Sequence, residues 1–260
     1  MWKPTTGRAF APTTSSRSTT NSRHASANAA AGQSISAATS LVKRMRPKHL
    51  AIQLSKLKAH PCNEVLLEQY GTEGDLAAYW MLAVDQLDGI EGKVVIDLGA
   101  GNGILGIACL VLGAKHVHFV ECDQAALDIL ETNLQSLSNT SEDWTIHNIY
   151  IGRDEWNIPD ADLIVMNPPW GVQTAKADRP FIETALASSS DAIHLLHSQR
   201  SSHIGGMVRD AQWKYEHVIA TTFRLPALYS HHSKRASETE VLCWRIHRPG
   251  DSRLPPDEDK

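Results

Sequence analysis

The sequence predicts an α/β fold with a doubly wound, largely parallel sheet and an antiparallel finish. Three observations carry that expectation. Short β-branched runs alternate with amphipathic helical segments. One of the runs feeds directly into a glycine-rich turn that opens a helix. The last two strand-like segments follow one another with no helical pattern between them.

The elements fall in order. Residues 48–57 place Leu50, Ile52, Leu54 and Leu57 in a short helix that Pro61 ends. Residues 72–87 form an amphipathic helix with Asp75 near its start and Leu76, Trp80, Leu82, Ala83 and Leu87 apolar. Residues 93–98 are a buried parallel strand, followed by the glycine turn and a helix over 104–112. A strand over 117–120 leads to a helix begun by Asp123, with Ala126, Leu127, Leu130, Leu134 and Leu137 on one face. Strands over 145–151 and 163–166, a helix over 181–188 and a strand over 192–196 continue the alternation. Strands over 217–223 and 240–246 close it.

At 260 residues, with 42% hydrophobic and 21% charged residues, the chain can bury one core of ordinary size. No apolar run approaches the roughly 20 residues of a membrane span, the longest being 104–114. The four cysteines never form a Cys-x-x-Cys pair, so a reducing compartment is expected. Charge divides the chain. Up to Asn63 there are ten Lys/Arg and no acid, which leaves 15 basic and 29 acidic residues beyond, a net of −14. Residues 1–44, rich in Ser, Thr, Ala and Asn, are expected to be a disordered basic extension; an organellar transit peptide and a later start at Met45 are the alternatives. Residues 45–250 form the folded domain and 251–260 an acidic tail.

The strand Val94-Val95-Ile96 delivers Asp97-Leu98-Gly99-Ala100-Gly101-Asn102-Gly103. Gly101, Gly103 and Gly106 match the dinucleotide fingerprint, with Glu121 twenty residues after Gly101. A nicotinamide dehydrogenase is therefore one reading, which the loop alone leaves open, but Asp97 favours a different ligand. A carboxylate at the loop entrance repels a pyrophosphate but attracts the ammonium and sulfonium of S-adenosylmethionine. Glu121 then accepts from the ribose hydroxyls, and Asp154 is a candidate acceptor for the donor's adenine amine.

The strand over 163–166 ends in Asn167-Pro168-Pro169-Trp170. The prolines restrict the backbone, so the Asn167 side-chain oxygen and the Pro168 carbonyl are poised to accept from a planar NH2 group. Accepting those protons localises the nitrogen lone pair for attack on a methyl sulfonium. Trp170 is expected to stack on the flat acceptor. Adenine, cytosine, guanine and a glutamine carboxamide all fit this motif.

Leu67-Glu68-Gln69-Tyr70-x-Thr72, the glycine loop, Asn167-Pro168-Pro169-Trp170-Gly171, Asp178-Arg179-x-Phe181 and Leu225-Pro226-x-x-Tyr229 together resemble the methyltransferase-like protein 5 family. The likeness runs from about Arg46 to His247. It implies the seven-stranded class I methyltransferase Rossmann-like sheet, with S-adenosylmethionine as donor and adenine N6 of small-subunit ribosomal RNA as acceptor. It further implies that Gln69, Tyr70, Thr72, Gly99, Asn102, Ile104, Glu121 and Asp154 line the donor site and that residues 167–170 hold the adenine. A small zinc-binding activator subunit is the implied partner. This sequence departs from the family pattern at Gly71 (usually proline), Trp170 (usually phenylalanine) and Glu121 (usually aspartate). Protein glutamine N5-methyltransferase and a catalytically silent RNA-binding scaffold remain as alternatives, and no metal ligands are assigned. His231, His232, Lys234 and Arg235, with Lys176 and Arg179, are candidate RNA-phosphate contacts. Residence in nucleus and cytoplasm is expected, with an organelle as the alternative.

Overall fold

A computed structural model describes residues 45–61, 71–137, 142–171, 174–225 and 237–255. The basic extension, the segment holding Gln69 and Tyr70, the run 231–235 and the end of the acidic tail lie outside these.

The chain opens with α1 (Pro47–Leu54), whose proline sits where the first turn needs no N–H partner. It packs Leu50 and Leu54 on α2 (Gly74–Asp88), which buries Ala77, Trp80, Met81 and Val84. The alternation follows: β1 (Val94–Leu98), α3 (Ile104–Val111), β2 (His116–Glu121), α4 (Gln124–Gln135), β3 (Trp144–Asn148), β4 (Leu163–Met166), α5 (Arg179–Leu186), β5 (Ala192–Ser198), α6 (Ile204–Asp210), β6 (Lys214–Leu225) and β7 (Ser237–His247). The seven strands are ordered β3-β2-β1-β4-β5-β7-β6. Pairings from β3 through β5 are parallel; β7 is antiparallel to both β5 and β6.

The period of two in the strands sorts the core into two layers. Val95, Val117, Phe119, Leu163 and Val165 face α1 to α4, whereas Ile96, Leu98, Val120, Ile164 and Met166 face α5 and α6. Both layers are apolar, which is why β4 reads Leu-Ile-Val-Met with every residue buried. One charged cluster interrupts the first layer. Arg245 of β7, fully buried, donates to both oxygens of Asp88 at the end of α2, at 2.6 and 2.9 Å, and also reaches Glu216 and Asp251. His194 of β5 bonds the same Asp88 at 2.7 Å. Together these groups hold the Asp88 carboxyl well below its ordinary range despite burial, and the cluster ties the antiparallel half of the sheet to α2.

One expectation is corrected, and one element that the sequence reading left unassigned is added. The strand over 145–151 stops at Asn148, because residues 149–151 leave the sheet to wall a cavity. A helix, α6, lies between β5 and β6, where the Gly205-Gly206 pair masks the helical pattern in the sequence. Gly205 is small for a reason: a Cβ there would come within 3.1 Å of the Tyr215 hydroxyl. No helix among the described residues is long and apolar enough to cross a membrane.

Strand order reverses between β1 and β4, and ligands in open α/β sheets sit beyond the carboxyl ends of strands at such a point. The glycine loop after β1 and the Asn-Pro-Pro-Trp segment after β4 both emerge there.

Candidate active site

A cavity of about 740 Å³ opens at these strand ends. Gly99, Gly101, Asn102 and Ile104 form one wall; Glu121, Asp123 and residues 149–153 form a second; Thr72, Asn167, Pro169, Lys176 and Phe181 form the third. The structure therefore gathers donor-loop and acceptor residues around one space.

The loop's shape depends on glycine at two kinds of position. Gly101 has φ of 56°, and a Cβ there would lie 2.7 Å from the His60 ring. Gly106, already inside α3, leaves no room because a Cβ would come within 2.3 Å of the buried Phe119 ring. The loop hydrogen bonds show which ligand it suits. Glu121 accepts from the Gly101 N–H at 2.8 Å through one oxygen and from the Cys122 and Asp123 N–H groups at 2.8 and 3.0 Å through the other. The Gly101 amide, a group that a pyrophosphate would seek, is thus already engaged by a carboxylate. A carboxylate offers about four lone-pair sites, so one remains for a ribose hydroxyl. Asp123 caps α4, accepting from Ala125 N at 3.2 Å, as its place in the sequence suggests.

Asp97 stands elsewhere than expected. It is 1% exposed and lies beneath the loop, where one oxygen accepts from Gly106 N at 2.7 Å and the other has no hydrogen-bond partner among the described residues. Burial pushes its carboxyl up to about 8, against the Gly106 bond and with help from the Glu121 charge. Asp97 fastens the loop to the start of α3 and is absent from the described cavity wall. A carboxylate on the ribose side and a loop amide closed to phosphate fit a sulfonium donor rather than a pyrophosphate.

Asp154 is also displaced. Its carboxylate accepts from Tyr150 N at 2.7 Å and closes an exposed turn. The wall where the donor's adenine is expected is made instead by Ile149, Tyr150 and Ile151, with the Arg153 guanidinium 4.0 Å over the Tyr150 ring.

At the acceptor end, Asn167 donates through Nδ2 to Thr72 Oγ1 at 3.0 Å and accepts at Oδ1 from the Trp170 indole N–H at 3.2 Å. Trp170 is 8% exposed, and its ring lies 5.8 Å from that of His197. The stacking role expected of Trp170 is not what this geometry displays, since the indole turns into the core to serve its own N–H. Pro169 rather than Pro168 contributes to the wall. Behind Trp170, a single oxygen of the buried Asp178 accepts from His197 at 3.1 Å and His203 at 2.5 Å. These three residues bring possible metal-ligand atoms within 4.8 Å of one another. The two imidazoles already satisfy that oxygen and hold the Asp178 carboxyl below its ordinary range.

Sequence reasoning missed His60, Asn133 and the 149–151 wall. The segment before residue 61 is clipped to the loop. Asn133 exchanges bonds with the Lys58 backbone at 2.8 and 3.2 Å and donates to Asn102 O at 2.9 Å, while Asn102 donates to Lys58 O at 3.0 Å. His60 is thereby laid on the cavity wall, and burial lowers its basicity despite the nearby Glu121 and Asp123 charges. An asparagine on the buried face of α4, beside Leu130 and Leu134, was the available signal. Thr72 and Ile104 lie on the cavity wall. Gln69 and Tyr70 fall outside the described residues.

The family model described as Methyltransferase small domain matches residues 75–231. An uncharacterised protein of Methanocaldococcus jannaschii is 34% identical over 214 residues, 79% of this chain and 96% of that protein. The Danio rerio rRNA N(6)-adenosine-methyltransferase METTL5 is 30% identical over 76% of this chain and 96% of its own length. The crystal structure of a candidate RNA methyltransferase from Pyrococcus horikoshii superposes with a TM-score of 0.70 at 34% identity, covering 78% of this chain and 98% of that one.

Proposed function

The chain belongs to the Methyltransferase small domain family, alongside the METTL5 enzymes, and is an S-adenosylmethionine-dependent methyltransferase; from that premise we propose that it methylates N6 of an adenine in small-subunit ribosomal RNA. The observation that carries the assignment is the Asn167 amide, tied down at the end of β4 on the same cavity as Glu121 and the glycine loop. S-adenosylmethionine, when bound, supplies an electrophilic methyl group.

The protein's own residues do the rest. Glu121 orients the donor, and Ile149, Tyr150 and Ile151 wall its adenine. At the acceptor end, Asn167 Oδ1 has a second lone pair beyond its bond from Trp170. That lone pair accepts a proton of the target amine. That bond draws the nitrogen lone pair out of conjugation with the ring, and the proton the amine loses on methylation would pass to solvent water. The adenine must leave its stack to reach the cavity, because its amine is hidden in a paired helix. Lys176, on the acceptor wall, supplies positive charge for a flanking phosphate. The body is acidic, so RNA affinity depends on such local charge and on the basic extension.

A small zinc-binding activator subunit is the proposed partner, and nucleus and cytoplasm the proposed location, with import into an organelle through the basic extension as the alternative.

Labelled S-adenosylmethionine incubated with total RNA and total protein, with and without the activator, tests the assignment. Label in N6-methyladenosine of small-subunit RNA is the expected result. Label in protein glutamine would instead make this a glutamine N5-methyltransferase.

A further inference from the structure

A primary amide is nearly symmetric in shape, yet its two ends are opposite in chemistry. If Asn167 were flipped, its NH2 would meet the incoming amine donor against donor, and no bond would form. Something must therefore choose the flip. Thr72 cannot choose, since a hydroxyl both donates and accepts. Trp170 can, because an indole N–H only donates, and the atom it meets at 3.2 Å is Asn167 Oδ1. We propose that Trp170 is a positioning residue that fixes the orientation of the Asn167 amide, so that its oxygen rather than its nitrogen faces the acceptor amine.

The surroundings suit that task. Trp170 is buried beside Asn167, and its ring lies 5.8 Å from His197 at a tilt of 32°. His197 is held through Asp178, which precedes α5, and Asp178 also holds His203, which precedes α6. One buried carboxylate thus links α5, β5 and α6 behind the indole. Thr72, on the same wall, receives the Asn167 NH2 at 3.0 Å and completes the clamp. The phenylalanine usual in the resembling family offers no donor, so this device belongs to the present sequence.

The inference rests on Asn167 receiving the acceptor amine, and the experiment separates the two. Trp170→Phe keeps an aromatic ring and removes the N–H. Losing one neutral hydrogen bond corresponds to roughly a five- to tenfold change. We expect kcat on unmodified ribosomal RNA to fall by about that factor while KM for S-adenosylmethionine stays unchanged. A kcat equal to wild type overturns the proposal. Asn167→Ala in the same assay reports on the premise: if it retains wild-type turnover, Asn167 is not the amine-holding group and both fall. If Asn167→Ala is inactive and Trp170→Phe is not slowed, only the positioning role falls. A second measurement is independent of turnover. In 15N-labelled protein, the Trp170 indole proton, assigned by its loss in Trp170→Phe, is expected to exchange slowly with solvent. It should shift and exchange faster in Asn167→Leu, where the oxygen is gone. An indole resonance unchanged in Asn167→Leu rejects the bond and the proposal with it.

Discussion

The two ends of the cavity are built by different means. At the donor end, backbone amides do most of the holding: Gly101, Cys122 and Asp123 donate to Glu121, and Gly106 donates to Asp97. At the acceptor end, side chains hold side chains: Asn167 to Thr72 and Trp170, and Asp178 to His197 and His203. A site made of backbone needs one continuous stretch with glycines where Cβ atoms would collide. A site made of side chains needs partners collected from distant parts of the chain; Thr72 and Asn167 are 95 residues apart. The first is legible along the sequence, and the second is assembled by the fold.

Substitutions can break that contrast, beginning with the largest effect. Asn167→Ala should cut methyl transfer at least about 100-fold, the scale seen when one preorganised hydrogen-bonding group is removed from a reacting centre. Donor affinity, measured by titration calorimetry, should survive, because the glycine loop is untouched. Loss of donor binding would show that the two ends are not separable.

Gly106→Ala should act in the opposite way, on the donor end. Its Cβ would lie 2.3 Å from the fully buried Phe119 ring and 3.0 Å from Asp97 Oδ2. Overpacking of this kind costs about 1–3 kcal/mol, so a lowered Tm and weakened donor binding are expected together. A normal Tm with normal affinity would mean that α3 shifts without cost.

Asn133→Ala removes the clip between the loop and residues 58–60. The Lys58 N–H and the Asn102 carbonyl would each lose a partner, at a cost of about 1–2 kcal/mol. Faster amide exchange at Lys58 is the expected signature, with a modest loss of donor affinity. Unchanged exchange would dissociate this segment from the donor site.

Asp97→Asn should have the smallest effect at neutral pH. The folded carboxyl titrates at about 8, above its ordinary value, so the folded state holds a proton that the unfolded chain releases near pH 4. Stability from this group is full below that lower value and declines as pH rises toward about 8. Asparagine mimics the protonated carboxyl and keeps an oxygen for Gly106 N–H. Thermal stability measured from pH 4 to 9 should therefore fall less steeply in the variant than in the wild type; parallel curves would show that Asp97 does not titrate this way.

Much of the fold was readable because its signals are local. The Leu163–Met166 run, the glycine turn and the helix begun by Asp123 each carry their own period or cap, and all form where the sequence puts them. The exceptions have local causes too. Tyr150 and Ile151 look like strand continuation, but the turn closed by Asp154 takes them out of the sheet. The pair Gly205-Gly206 weakens the helical pattern of residues 204–210, yet α6 forms because packing on β6 outweighs weak propensity.

The sequence alone determined the parallel-then-antiparallel sheet, the glycine loop, Glu121 at the end of β2 and Asn167 at the end of β4. Each depends on neighbours in the chain: strand period, backbone freedom and proline restriction act within a few residues. Only the tertiary structure decided that Asp97 lies under the loop, that Asp154 closes a turn on Tyr150, that His60 joins the cavity wall and that Trp170 spends its N–H on Asn167. Those outcomes are set by which buried polar atoms find partners, and such atoms are paired by three-dimensional proximity, which spacing along a chain does not encode.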